Sequence, residues 1–287
     1  MSDTTDDHVY LSLAEGHDDS DSRWAFGTGF EDPLHGVDTA VPAGVDTAAL
    51  AASCLALGDD ALVSAQRLAE WCTRAPELEE EVALANIGLD LLGQARLLYA
   101  RCGQVDGTGR GEDAYAYFRD ADDFRNMRLA ELPGGDFAFS ILRLLVLSTW
   151  RLALFGRLTS AADPVLAAIA AKAVPELTYH RQYAADWAVR LGDGTQESHR
   201  RMRAALEQVG PHLAELFAEG TGFAVDADAV RDETHGVLRQ VLAAGDLNLP
   251  DAEASRPAGR TGEHTGHLAP LLAELQGLAR AHPEATW

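Results

Sequence analysis

Few residues of this 287-residue chain stand at spacings that suggest chemistry. One group lies in Pro164 to Leu191, where Glu176, Tyr179 and His180 fall within five positions. Another lies in Glu79 to Arg96, where Asp90 and Gln94 sit one turn apart. Both stretches read as long helices. A four-helix di-iron protein takes one carboxylate from each of two helices and a Glu-x-x-His pair from each of the other two. The places where such pairs should stand read Leu91-x-x-Gln94 and Leu177-x-x-His180. The frame is present and the carboxylates are not. A third candidate is Asp123-Phe124-Arg125-Asn126, in which Arg offers a forked donor for phosphate and Phe an apolar face.

The elements that must position these groups are helical. Ala and Leu dominate, aromatics are 7%, and runs of Val, Ile, Thr and Tyr are scarce. The predicted class is all-α. Helices are expected from Asp46 or Thr47 to about Trp71, loosened at Gly58, and from Pro76, in the first turn, to about Arg101, stopping at Gly103. Val82, Ala85, Leu89, Leu91 and Leu92 give the second a broad apolar face. Short helices near 112–119 and 121–131 precede a central apolar helix, about 136–160. Asp163-Pro164 opens the next, which Pro175 should kink. Thr195 caps another running to about Phe217. Helices over about 226–244 and 268–281 flank an irregular stretch, 245–267. Two hairpins joined by one long connection make the up-down plan of a ferritin-like bundle. Residues 1–45 read as an acidic mobile tail and 46–287 as one domain.

Composition excludes some functions. The formal charge is −22, and residues 1–46 hold eleven acidic residues and one basic, a net of −10. Such a surface repels phosphate backbones and anionic membranes, so neither nucleic acid nor membrane is an expected partner. Cys54, Cys72 and Cys102 are odd in number and unpaired in spacing, as expected of buried reduced thiols. No signal peptide is evident, and no apolar stretch reads as long enough to cross a bilayer. The expected location is cytoplasmic.

Several segments resemble one family. Arg67-Leu68-Ala69-Glu70-Trp71-Cys72, Arg74 to Glu79, the run Leu84 to Arg96 (LANIGLDLLGQAR), Asp123 to Asn126, Asp163-Pro164, Gly192 to Thr195 and Gly262 to Thr265 are similar to the structural subunit of bacterial phenylacetyl-CoA 1,2-epoxidase. The LANIGLDLLGQAR run is the specific one. The resemblance runs from about residue 50 to the C-terminus. The first 46 residues have no counterpart, and Phe217 to Asp226 is short for the family.

The resemblance implies a ferritin-like, non-catalytic chain paired with a homologous catalytic subunit that carries the di-iron centre. A small third subunit and a flavin/iron–sulfur reductase complete the system, which epoxidises the ring of phenylacetyl-CoA. Carried over position by position, the six ligand sites fall on Ala61, Leu91, Gln94, Ser148, Leu177 and His180. Only His180 keeps a ligand type, and iron of this class needs several hard oxygen donors. No metal and no catalytic residue is expected in this chain. Asp123, Phe124, Arg125 and Asn126 are the expected substrate-binding residues, near the CoA part; ordinary interhelix packing with a surface Arg stands beside that reading. A Glu176–His180 contact is expected in the emptied site. Arg260, His264 and Thr265 are expected either to order the late loop or to meet a partner, the former being favoured. Two other functions stay open: a catalytic di-iron oxygenase with unusual ligands, and a stand-alone helical scaffold or binding protein.

Overall fold

A computed structural model describes residues 34–218, 223–250 and 258–285. The tail expected over 1–45 lies mostly outside the described residues. The chain divides after His35, and every element below belongs to the unit Gly36–Trp287. Among the described residues there is no strand.

The first hairpin joins α1 (Thr47–Ala69) to α2 (Leu78–Val105). Asp46 caps α1 by accepting from the amides of Ala48 and Ala49 at 2.9 and 3.1 Å. Gly58 does not loosen α1. The ring of Tyr99 lies where its Cβ would stand, 2.7 Å away, so the missing side chain admits that ring. Pro76 falls before α2 and Glu77 stands at its cap; Glu79, Glu80 and Glu81 then face the positive end of the helix. Nor does α2 stop at Gly103. A Cβ there would meet the carbonyl oxygen of Arg110 at 2.0 Å, so this glycine lets the following loop fold back onto the helix.

The connection carries α3 (Glu112–Tyr117), a 3-10 turn at Ala121–Asp123 and α4 (Arg128–Glu131), shorter than the helices expected there. The second hairpin is α5 (Phe137–Leu158) with α6 (Pro164–Gly192). Asp136 and Asp163 cap these two helices. Helix α6 runs through Pro175 as one element. Both hairpins pack closely, and α2 meets α6 across the bundle. This is the ferritin-like plan with one crossover.

Three helices follow: α7 (Gln196–Val209), opened by a Thr195–Ser198 capping box, α8 (Ala227–Ala244) and α9 (Leu268–Ala281). The helix expected to reach Phe217 turns 3-10 at Gly210, where Pro211 removes an amide donor.

Helix α5 is buried almost all round, as its sequence predicts. Helices α1 and α5 are in fact long and apolar enough to cross a bilayer, contrary to expectation, but their apolar windows are 72% and 94% buried in the protein. Both therefore read as core helices. Cys54 and Cys102 are buried, whereas Cys72 is exposed in the turn after α1, against the expectation of three buried thiols. Burial pushes the Cys102 thiol up to about 11.

Candidate functional site

The six positions singled out from sequence lie in the four-helix core. Ala61, Leu91, Gln94, Ser148, Leu177 and His180 are all buried. Three of the four helices bring Leu91, Ser148, Leu177 and His180 to one cavity, of about 20 Å³. The side chains that fill this centre make a polar chain of another kind. His180 Nε2 donates to Asp90 Oδ2 at 3.0 Å, since the carboxylate can only accept. Glu176 does not meet His180 as expected. It accepts from Gln94 Nε2 at 3.0 Å and pairs with Lys172. Gln94 Oε1 in turn accepts from Arg151 Nη2 at 2.9 Å, and Arg151 Nη1 donates to the Leu57 carbonyl at 3.2 Å.

A guanidinium thus stands among the positions where metal ligands would converge. This donor set does not fit a di-iron group. Ala61, Leu91 and Leu177 offer no donor, Ser148 and Gln94 are neutral, and the fixed positive charge of Arg151 repels a divalent cation. Burial above all pushes Arg151 down to about 10; Asp60 opposes that fall and Arg260 adds to it. Arg143, two turns earlier on α5, is pushed to about 10 by burial and by Arg67, with Glu70 acting the other way. Both remain cations at neutral pH. Sequence reasoning missed them, although the signal was there: two arginines eight residues apart, hence on one face, in an otherwise apolar helix.

The Asp123–Asn126 segment is placed differently from its expected use. Phe124 is fully buried, its ring 4.2 Å from the Arg119 guanidinium, so its face is covered. Asn126 is buried too, donating to Glu131 Oε2 at 3.0 Å and to the Met127 carbonyl. These two offer no surface to a ligand. Asp123 is exposed at the end of a turn and its carbonyl accepts from Arg119. Arg125 is half-buried, with Nη1 donating to the carbonyls of Asp122 and Phe124 at 2.7 and 2.6 Å.

What holds this segment is a set of buried ion pairs centred on α1. Asp59 accepts from Tyr99 Oη at 2.6 Å, from the Arg125 amide at 2.7 Å and from Arg119. Asp60 accepts from the Met127 amide at 2.8 Å and from Arg260 Nη2 at 2.6 Å. Glu131 binds His264 Nδ1 at 2.8 Å and the Thr265 amide at 2.5 Å. The other nitrogen of His264 meets the Phe124 carbonyl at 3.0 Å. Burial works against charge on His264, but these two acceptors prevail and raise its pKa above the usual histidine value. Arg260, His264 and Thr265 therefore order the late loop, as favoured from sequence.

Helix α2 has a second apolar face. Its buried side is Leu84, Ile87, Leu91, Ala95 and Leu98, while Leu78, Val82, Leu89 and Leu92 are exposed. The broad core face expected from Val82, Leu89 and Leu92 is thus an outer stripe. Leu92 also lines an open cleft of about 760 Å³ with Phe118 on the crossover and Leu278 on α9.

Fold and core together define a ferritin-like four-helix protein whose central positions hold hydrocarbon and a guanidinium. Residues 37–287 match the family model described as "Phenylacetic acid catabolic protein". The chain belongs to that family. It is 43% identical over 246 residues to the C subunit of 1,2-phenylacetyl-CoA epoxidase from Escherichia coli (strain K12), covering 83% of this chain and 99% of the relative.

Proposed function

We propose that this chain is a non-catalytic structural subunit of a phenylacetyl-CoA 1,2-epoxidase complex in aerobic phenylacetate degradation. The observation that carries the reading is the core centre, where Leu91, Leu177 and Ala61 are packed and Arg151 is bound to Gln94. Hydrocarbon in place of clustered buried carboxylates keeps the bundle stable without a metal. The chain takes no metal, and di-iron chemistry belongs to a homologous catalytic subunit. The outer stripe Leu78, Val82, Leu89 and Leu92 is the face that braces it, an apolar surface larger than scattered single residues require. A small third subunit and a reductase complete the assembly, which works in the cytoplasm. The contribution to acyl-CoA binding narrows to Arg125, a residue that is only half-buried.

Metal analysis tests the reading first. The purified full chain, made in iron-rich medium and desalted, should carry well below one iron; two per chain would mean a catalytic oxygenase with unusual ligands. Co-expression with the catalytic homologue should give one co-eluting species by size-exclusion chromatography. Separate elution of two soluble chains would favour the stand-alone scaffold. Within the complex, Arg125→Ala should weaken binding of a CoA thioester without dissociating the subunits, and unchanged affinity removes that residue from the proposal.

A further inference from the structure

Seven large apolar side chains are exposed among the described residues, and six of them fall on one path. Leu78, Val82, Leu89 and Leu92 share a face of α2, with Ala85 between Val82 and Leu89. Leu92 then lines the open cleft of about 760 Å³ together with Phe118 and Leu278. The stripe thus leads into a recess between α2, the crossover and α9. The seventh side chain, Tyr179, lies apart on α6. From Leu78 to Leu92 the stripe is about 21 Å long, or about four helical turns. Gly93 stands beside its end, and nothing lies within 4 Å of the place its Cβ would take. The backbone of α2 is therefore open to close approach there.

Charge decides between occupants of this path. Glu79 and Glu81 fall on opposite flanks of the line from Leu78 to Val82, since successive helical residues turn by about 100°. Neither they nor Glu77 make an ion pair among the described residues. Asp113 adds an unpaired carboxylate at the cleft, while Arg96 there is held by Glu112. The helix dipole favours carboxylates in the first turn but offsets only part of their charge. A second copy of this chain would bring the same acidic flanks and a net charge of −22, so like charges would meet. A small ligand would leave most of a four-turn stripe uncovered. We propose that the path seats one amphipathic helix of the catalytic homologue, laid along α2 with basic residues against Glu79 and Glu81 and a bulky apolar side chain in the cleft beside Phe118 and Leu278. Apolar residues at helical spacing on one helix receive those of another, ridge into groove. The proposal rests on the epoxidase-subunit reading and goes beyond it by fixing the kind of element that docks, its charge and its anchor.

The test is the affinity of the full chain for the separately purified catalytic homologue. Affinity should fall about tenfold between about 0.1 M and about 1 M salt. The double variant Glu79→Lys, Glu81→Lys should lose about tenfold at the lower salt and lose the salt dependence as well. Phe118→Ser should lose about thirtyfold, as removal of an anchor does. Gly93→Leu fills space that is open in the isolated chain, so it should unfold at the parent's temperature or above and still bind about tenfold more weakly. Hydroxyl-radical footprinting of the complex formed by the unmodified chain should show Leu89, Phe118 and Leu278 protected, a measurement that stands even where a variant fails to fold. Binding that salt and all three variants leave unchanged, or protection confined to other helices, overturns this inference and leaves the subunit reading intact. Absence of binding by the unmodified chain at either salt refutes the subunit reading itself, and this inference with it.

Discussion

Two clusters of buried charge lie within this bundle, and they follow different rules. Around α1 each buried carboxylate has several donors: Asp59 meets Arg119, Tyr99 and a backbone amide, Asp60 meets Arg260 and a backbone amide, and Glu131 meets His264, Asn126 and Thr265. Around the core centre Arg143 and Arg151 have neutral partners only. The first cluster ties the crossover and the late loop to α1, which side chains of matched charge do well. The second puts a guanidinium, that of Arg151, against one of the positions where metal ligands would converge. Matched charge marks the region that holds the fold, although Asn126 Oδ1 and Arg260 Nε find no partner among the described residues, and unmatched positive charge marks the region where metal ligands would converge.

The widest contrast should come from Asp59→Ala against Arg151→Met. Removing Asp59 strands the buried Arg119 and frees Tyr99 Oη and the Arg125 amide. A loss of about 3–5 kcal/mol is expected, read by urea unfolding. Arg151→Met removes a charge that has no carboxylate partner, and its stability should lie within about 1 kcal/mol of the parent chain. Equal losses in the two variants would erase the distinction between the clusters.

A pH series sharpens the comparison within the paired cluster. His264 has a raised folded pKa, held by Glu131 and the Phe124 carbonyl against the effect of burial. The imidazolium is favoured in the folded state, so its contribution is complete below the unfolded histidine value, about 6.5. It is lost as pH rises through the higher folded value. The expected result is a fall in unfolding free energy across that window, absent in His264→Gln. A flat profile in the parent chain would mean that the ring is neutral when bound to Glu131.

Much of this was legible in the sequence because its signals are local. Asp46, Asp163 and Thr195 announce helix starts by side-chain chemistry, and each does cap a helix. The apolar run of α5 announces a central helix, and the emptied ligand positions follow from the family resemblance carried over residue by residue. What failed depended on neighbours distant in sequence. Gly103 reads as a helix stop until Arg110 folds back against it. Phe124 reads as an available face until Arg119 covers it. Glu176 and His180 share a helix face, yet each finds a better partner across the bundle, Gln94 and Asp90. Val82, Leu89 and Leu92 lie at helical spacing, but periodicity does not say which of two apolar faces turns inward.

That last ambiguity gives the smallest expected effect on the chain itself. Leu89 is 61% exposed, whereas Leu91, two residues on, is 3% exposed. Leu89→Glu should leave the isolated chain's stability within about 0.5 kcal/mol of the parent, because an exposed side chain loses little on substitution. Leu91→Glu should instead unfold or strongly destabilise it, by placing a carboxylate in packed hydrocarbon. In co-expression the order of interest is reversed: Leu89→Glu, folded and soluble, should fail to co-elute with the catalytic homologue. A variant that still co-elutes would move the docking surface off α2 and leave its outer stripe without a role in assembly.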